Sequence, residues 1–270
     1  RSTLSSADVE TCDQETDLKW DFNRSISDIY CAALPADRQG EVPHRYVLGL
    51  YEFLDRLGKR YPDMLIEGCS GGGGRFDAGM LHYTSQIWCS DDTDTIERLK
   101  IQYGTSFAYP VSAVGSHVSA CPNHQTGRFV PFETRAAVAM AGTFGYELDP
   151  AKLSEEEKTQ IRGQIEEFKK YYDVIHFGDY YRLTNAMEEG PYAAWEFVSE
   201  DGNEALVSVV ASRVRANDPG VRIRLRGLKE NQMYLVNGVE YPGGALMHGG
   251  ILLEEAKKEY QSWNYHITVK

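Results

Sequence analysis

No stretch of this 270-residue chain approaches the roughly 20 consecutive apolar residues that a membrane-spanning helix needs, and its first residues have neither a basic start nor an apolar signal core. The expectation is a soluble, cytoplasmic protein with no membrane partner. Cations are scarce: 28 Lys and Arg against 40 Asp and Glu leave a net charge of -12. Nucleic-acid affinity depends mainly on Lys and Arg neutralising phosphates, so an extended nucleic-acid surface is excluded and a neutral substrate fits better. Cysteines number five, at positions 12, 31, 69, 89 and 121, an odd count without a CxxC pair. Neither a disulfide framework nor a thiolate zinc site is indicated, and the thiols are expected to be reduced. No internal repeat, low-complexity tract or long linker interrupts the chain.

What is present is enough apolar residue, 42%, to bury a real core in one large domain or two ordinary ones. Val42, Tyr46, Leu50, Phe53, Leu54 and Leu57 recur at spacings of three and four and predict an amphipathic helix over 42–61, ended by Pro62. Met64 to Glu67 and Gln86 to Ser90 read as short buried strands, and Thr93 to Tyr103 as a helix. The alternation is less distinct through 107–118, Thr134 to Ala141 and the strand-like Gly142 to Leu148. Leu153 to Tyr172 is the clearest helix, with a capping box from Ser154 and Glu157, three glutamates at its positive end and Lys169 and Lys170 near the other. Repeated strand-helix units imply a parallel sheet, and one of this length suggests a barrel. After about Pro191 the period becomes two. Ala205 to Val210, 221–226, Met233 to Val236 and Tyr265 to Val269 read as strands, separated by turns at 217–220, Asn237-Gly238 and Pro242-Gly243-Gly244. The pattern therefore reads as α/β: strand-helix units forming a barrel, then a separate antiparallel β domain after about Pro191.

Two aspartates seventy positions apart, Asp21 and Asp91, each close a short apolar or aromatic stretch, and between them lies Cys69-Ser70-Gly71-Gly72-Gly73-Gly74-Arg75-Phe76-Asp77. Acidic residues at the carboxyl ends of barrel strands converge on the mouth although distant in sequence. Retaining glycoside cleavage needs one ionised carboxylate and one protonated carboxyl about 5 to 5.5 Å apart. Lys19 and Arg24 flank Asp21 and would favour its charged form, whereas Asp92 and Asp94 beside Asp91 would raise its pKa toward that of a general acid. The plain alternatives are an ion pair at Asp21 and a helix cap at Asp92 or Asp94. The glycine run lacks the Gly-Lys-Ser/Thr ending of a phosphate loop and the dinucleotide spacing, which leaves a close-packed sugar floor or a flexible turn. Cys69 is a small polarizable ligand contact or a buried thiol. The 17 tyrosines and four tryptophans suit sugar stacking, or the core. His117, Cys121 and His124 match no familiar metal spacing; their segment reads as a loop beside the pocket, held by hydrogen bonds from histidine and asparagine. Neither a metal nor a cofactor is expected.

Lys19-Trp20-Asp21-Phe22-Asn23-Arg24, the 69–77 run, Trp88-Cys89-Ser90-Asp91-Asp92-Thr93-Asp94, the 98–106 segment and the 117–124 loop, in this order, resemble microbial α-galactosidases of glycoside hydrolase family thirty-six. The likeness covers about 16–148; beyond it only the β-rich character is similar. The resemblance implies a retaining mechanism with Asp21 as nucleophile and Asp91 as acid/base. It puts Lys19, Asn23, Cys69 and Gly71, with Gly72 on the same floor, at the galactose hydroxyls, and Asp92 either behind the residues that touch the sugar or at a further substrate contact. Trp20 is expected to pack behind the nucleophile, and Arg75 with Asp77 to buttress the glycine loop. The implied substrate is a galactose-containing oligosaccharide of the melibiose or raffinose type. An α-N-acetylgalactosaminidase or a galactosyl transferase acting on sucrose would use the same two carboxylates. Members of that family carry an N-terminal β-sandwich and a whole barrel, so the resemblance implies that this chain is a partial (β/α)8 barrel, about strands 4 to 8, over 1–188, followed by an antiparallel β-sandwich domain over 189–270. A homo-oligomer or a complementing N-terminal chain would complete it. A sugar-binding or assembly module without turnover is the reading from a different class.

Overall fold

A computed structural model describes residues 17–23, 29–188, 190–217 and 220–270. Arg24, Cys12 and the acidic positions Asp8, Glu10, Asp13 and Glu15 lie outside the described residues, as do Asp218 and Pro219 of the 217–220 turn. The chain divides between Asp91 and Asp92 into two compact units.

The first unit is built on parallel strands β1 (Asp17–Trp20), β2 (Leu65–Gly68) and β3 (Gln86–Trp88). Trp20 pairs with Gly68, and Gly68 with Ile87. Helix α1 (Val42–Arg60) links β1 to β2, with Pro43 in its first turn and Lys59 and Arg60 in its last. Its backbone ends where the Tyr61 N–H bonds the Leu57 carbonyl, one residue ahead of Pro62. Leu50, Leu54 and Leu57 pack over Ile66, Met80 and Ile87, and Trp20 joins the same cluster. Tyr46 and Phe53, apolar positions of the same stripe, stay more than one third exposed. Strand alternation then turns Lys19, Glu67, Gln86 and Trp88 to the face opposite this core.

The second unit begins with helix α2 (Thr95–Thr105) and continues through β4 (Val114–Gly115), β5 (His117–Ser119), α3 (Phe132–Ala139) and β6 (Gly145–Glu147), with β5 and β6 parallel. Helix α4 (Glu155–Phe177) carries the expected capping box: Ser154 accepts the Glu157 N–H, and the Glu157 carboxylate accepts the Ser154 N–H. An antiparallel sheet follows, made of β7 (Asp179–Arg182), β8 (Tyr192–Val198), β9 (Glu204–Ala211), β11 (Met233–Val236), β12 (Val239–Pro242) and β14 (Ser262–Val269), in the order β12-β11-β14-β9-β8-β7. Strands β10 (Arg222–Ile223) and β13 (Ile251–Leu252) form a separate pair. Asn237 and Gly238, both at positive φ, turn the β11-β12 hairpin.

Parallel strands followed by an antiparallel sheet agree with the sequence pattern, and two strands go beyond it. β8 is buried along its whole length: Ala193, Trp195 and Phe197 pack with Val174 and Ile175 of α4, and Ala194 and Val198 pack with Ile223, Leu225 and Leu246. A strand covered on both faces shows no polar alternation, so its sequence carries no period-two signal. β7 pairs with β8 (Tyr181 opposite Glu196), so the sheet takes its first strand from ahead of Pro191. The strand expected over 221–226 shrinks to Arg222–Ile223. Among the described residues no helix is long and apolar enough to cross a membrane.

Candidate active site

Asp21 follows the last residue of β1, Cys69 follows the last residue of β2, and Trp88 ends β3, so the three stand in one row at the carboxyl edge of the sheet. The backbone ties the row together. Cys69 N–H donates to the Trp20 carbonyl at 3.1 Å and Ser70 N–H to the Asp21 carbonyl at 2.9 Å. The Arg75 guanidinium donates to the carbonyls of Asp21 and Phe22, each at 3.1 Å, so it buttresses the strand end as well as closing the glycine run. Asp77 receives the Met80 N–H at 2.9 Å and the Tyr51 hydroxyl at 3.4 Å, which anchors the turn that leaves the run. Trp20 packs into the core cluster beside Phe53.

The glycines form one tight turn in which Ser70, Gly71, Gly72 and Gly73 all have positive φ, a conformation that side chains resist. Gly71 N–H donates to Asn23 Oδ1 at 2.7 Å. A Cβ on Gly72 would run into the backbone nitrogen of Asp91, and one on Gly73 would lie 2.8 Å from the Cys89 carbonyl oxygen. One turn therefore touches both aspartates, Asp21 through the Ser70 N–H on its backbone carbonyl and Asp91 through backbone contact that only glycine permits. Asp91 itself accepts the Trp88 indole N–H at 3.0 Å.

Asp21 is exposed, and its carboxyl is held below the usual carboxylate range. The Cys69 thiol hydrogen bond is the largest cause; the little burial it has works the other way, and the Asn23 side chain, the Gly71 N–H and the Lys19 charge add to the lowering. Lys19, singled out in the sequence as the charge beside Asp21, is thus the least of these influences. The reason is geometric: its ammonium faces Glu67 at 3.4 Å and the Trp88 ring at 5.1 Å from the centroid. Burial pushes the Cys69 thiol up, which keeps the donor protonated.

The acidic triplet separates by role. Asp92, the first residue of the second unit, accepts the Asp94 N–H at 3.0 Å. Asp94 is fully buried, accepts the Ile96 and Glu97 N–H groups as the cap of α2, and pairs with Arg128. The 117–124 segment contributes Asn123, whose Nδ2 donates to Thr93 Oγ1 at 3.0 Å and whose Oδ1 accepts from the Gln125 and Thr126 N–H groups. Sequence reasoning missed Trp88 as the partner of Asp91 and Glu67 as the partner of Lys19; the one available signal for Glu67 was a charge closing an otherwise apolar strand.

Residues 9–178 match the family described as Melibiase, and residues 192–267 match the Glycosyl hydrolase family 36 C-terminal domain. The chain is 56% identical over 253 residues to the bifunctional alpha-galactosidase/sucrose kinase AgaSK of Mediterraneibacter gnavus, covering 93% of this chain and 26% of that protein. It is 49% identical over 253 residues to alpha-galactosidase AgaA of Geobacillus stearothermophilus, covering 93% of this chain and 35% of the relative. Among solved structures, the galactosidase domain of AgaSK superposes with a TM-score of 0.89 at 55% identity, over 94% of this chain and 34% of that one. An AgaA variant in complex with raffinose gives 0.91 at 47% identity, over 94% and 36%. The chain thus spans about a quarter to a third of the length of these relatives.

Proposed function

Because the chain belongs to the melibiase family, glycoside hydrolase family 36, we propose that it carries the carboxylate machinery of a retaining exo-α-galactosidase, acting on terminal α-linked galactose in oligosaccharides of the melibiose or raffinose type. The observation that supports this most is the shared glycine turn, with the Asp21 backbone hydrogen-bonded to Ser70 and Asp91 packed on Gly72. In this reading an Asp21 oxygen attacks the anomeric carbon while Asp91 gives its proton to the departing glycosidic oxygen. The carbon–oxygen bond breaks as the galactosyl ester forms. Asp91, now a carboxylate, takes a proton from water, which attacks the same carbon and releases galactose with retained configuration and Asp21 free. The lowered Asp21 carboxyl suits a nucleophile that must be ionised.

Lys19, Asn23, Cys69, Gly71, Gly72 and Asp92 are the proposed contacts to the sugar hydroxyls. The fold reading that goes with this is the later strands of a (β/α)8 barrel over 1–188 and a β-sandwich domain over 189–270, with β7 lent to the sheet of the latter. A second copy or a complementing chain would complete the barrel. A cytoplasmic setting fits the free thiols of Cys31, Cys69, Cys89 and Cys121.

Turnover of p-nitrophenyl α-galactoside by the purified chain, lost by a factor of about 10³ or more in Asp21→Ala, is the expected result. No turnover by folded wild-type protein, unchanged by that substitution, would sink the enzyme reading for this chain. The exposure of Asp21, Phe22 and Asn23 favours a second reading, a sugar-binding or assembly module without hydrolysis; retention on immobilised galactose without turnover would support it. Preference for the N-acetylgalactosaminide, or transfer to sucrose in place of hydrolysis, would move the chemistry to a different acceptor or sugar with the same two carboxylates.

A further inference from the structure

We propose that Glu67 is a positioning residue of this site, tethering the Lys19 ammonium over the Trp88 ring so that it is presented to a sugar hydroxyl; the inference rests on the galactoside reading above. Lys19, Glu67 and Gln86 are register partners in one row across β1, β2 and β3, on the sheet face opposite the apolar core. Glu67 is 5% exposed. A carboxylate that buried is costly unless it is compensated. Its Oε2 accepts from Gln86 Nε2, while among the described residues Oε1 has no hydrogen bond and faces the Lys19 ammonium at 3.4 Å. The ion pair is therefore what compensates that oxygen.

The consequence for Lys19 is loss of freedom. A lysine stem is rich in rotamers and, half-exposed at a sheet edge, would sample many positions. Glu67 on one side and the Trp88 face on another hold the ammonium and leave a donor for a ligand. The indole that lies under Lys19 is also the one whose N–H holds Asp91 at 3.0 Å. Glu67, Lys19, Trp88 and Asp91 thus form a continuous line from the buried row to the second carboxylate. A donor fixed before the ligand arrives costs less ordering when it binds.

The test is nitrogen-15 NMR of the lysine ammonium groups in the full 270-residue chain, together with a galactose titration. Lys19→Met assigns the resonance. A tethered ammonium exchanges its protons slowly and is visible in the wild type; Glu67→Gln, which keeps the shape and removes the charge, is expected to abolish the signal and weaken galactose binding about tenfold. Should that variant fail to fold, Glu67→Asp retains the charge and retracts it by one methylene, with the same two effects expected. A Lys19 signal that persists in a folded variant, or galactose affinity that stays at the wild-type value once the signal is lost, overturns the proposal. A wild-type chain that binds no galactose counts against the galactoside reading, and the ammonium signal in wild type and variant still decides whether the tether exists.

Discussion

The Cys69 N–H donates to the Trp20 carbonyl at 3.1 Å, which sets the Cys69 thiol beside the Asp21 carboxyl, and that thiol lowers the carboxyl more than the neighbouring Lys19 charge does. Cys69 is the residue after β2 and Asp21 the residue after β1, so the two meet because the parallel strands end in register.

Cys69→Ala is accordingly expected to raise the Asp21 carboxyl, and Cys69→Ser, which keeps a donor, to raise it less. A group whose folded pKa is depressed contributes stability above its unfolded value and loses it as pH falls through the folded one. The alanine variant therefore loses that contribution at a higher pH than the wild type. Carbon-13 titration of the aspartate carboxyls measures this directly; an unchanged Asp21 midpoint in Cys69→Ala would refute the assignment.

Gly71 and Gly72 are adjacent, share positive φ, and differ in what surrounds them. A Cβ at Gly71 meets nothing nearer than Asn23 Oδ1 at 3.9 Å, so Gly71→Ala should cost only the left-handed conformation, about 1 to 2 kcal/mol. At Gly72 the Cβ collides with the Asp91 backbone, adding an overpacking cost of about 1 to 3 kcal/mol and displacing Asp91. Urea unfolding should rank Gly72→Ala well below Gly71→Ala, and any turnover should follow the same order.

Asp94 caps α2 and pairs with Arg128 while fully buried. Burial works to raise its carboxyl, and the Thr126 hydroxyl, the Glu97 and Ile96 N–H groups and Arg128 together outweigh it and leave it lowered. Asp94→Ala leaves Arg128 with the longer Glu97 pairing at 3.7 Å and opens the helix start, with an expected loss of roughly 2 to 3 kcal/mol by chemical denaturation. The contribution is present at neutral pH and disappears in acid, so the gap between wild type and variant should narrow as pH falls through the folded Asp94 value.

Glu196, on β8 opposite Tyr181, has the reverse sign. It is fully buried; burial pushes its carboxyl up to about 8 from 4.5, against a smaller opposing pull from the Arg226 backbone N–H on Oε2. Between those values the unfolded chain has released the proton and the folded chain retains it, so stability falls as pH rises from about 4.5 to about 8. The loss is of the order of a few kcal/mol. Glu196→Gln should remove this slope and equal or exceed wild-type stability at pH 8. Thermal melts at pH 5 and pH 8 check it; a wild type that melts no lower at pH 8 than at pH 5 would contradict it.

Much of the first unit and of α4 could be read from the chain because the signals are local. The stripe through Leu50, Leu54 and Leu57, the Ser154–Glu157 box and the Asn237-Gly238 turn each depend on residues within a few positions of one another. Asp21 was legible as a strand-end acid for the same reason, whereas the strand expected over Gln86 to Ser90 stops at Trp88 and leaves Asp91 three residues beyond it. β8 was not legible, since burial on both faces erases the alternation that marks a strand, and Glu196 within it looks in sequence like an exposed charge; β7, partly exposed and four residues long, is too short to show a period.

The sequence by itself determined where carboxylates, thiol and glycines stand relative to the apolar stretches, because backbone preference and hydrophobic period act over short separations. Tertiary structure alone decided which groups meet. Parallel register brought Cys69 to Asp21 and Glu67 to Lys19 across 48 positions, and the glycine turn brought Gly72 against Asp91. The α2 cap took Asp94 out of the triplet while the Trp88 N–H held Asp91. Those outcomes depend on distances of a few ångströms between residues far apart in the chain, and only packing sets such distances.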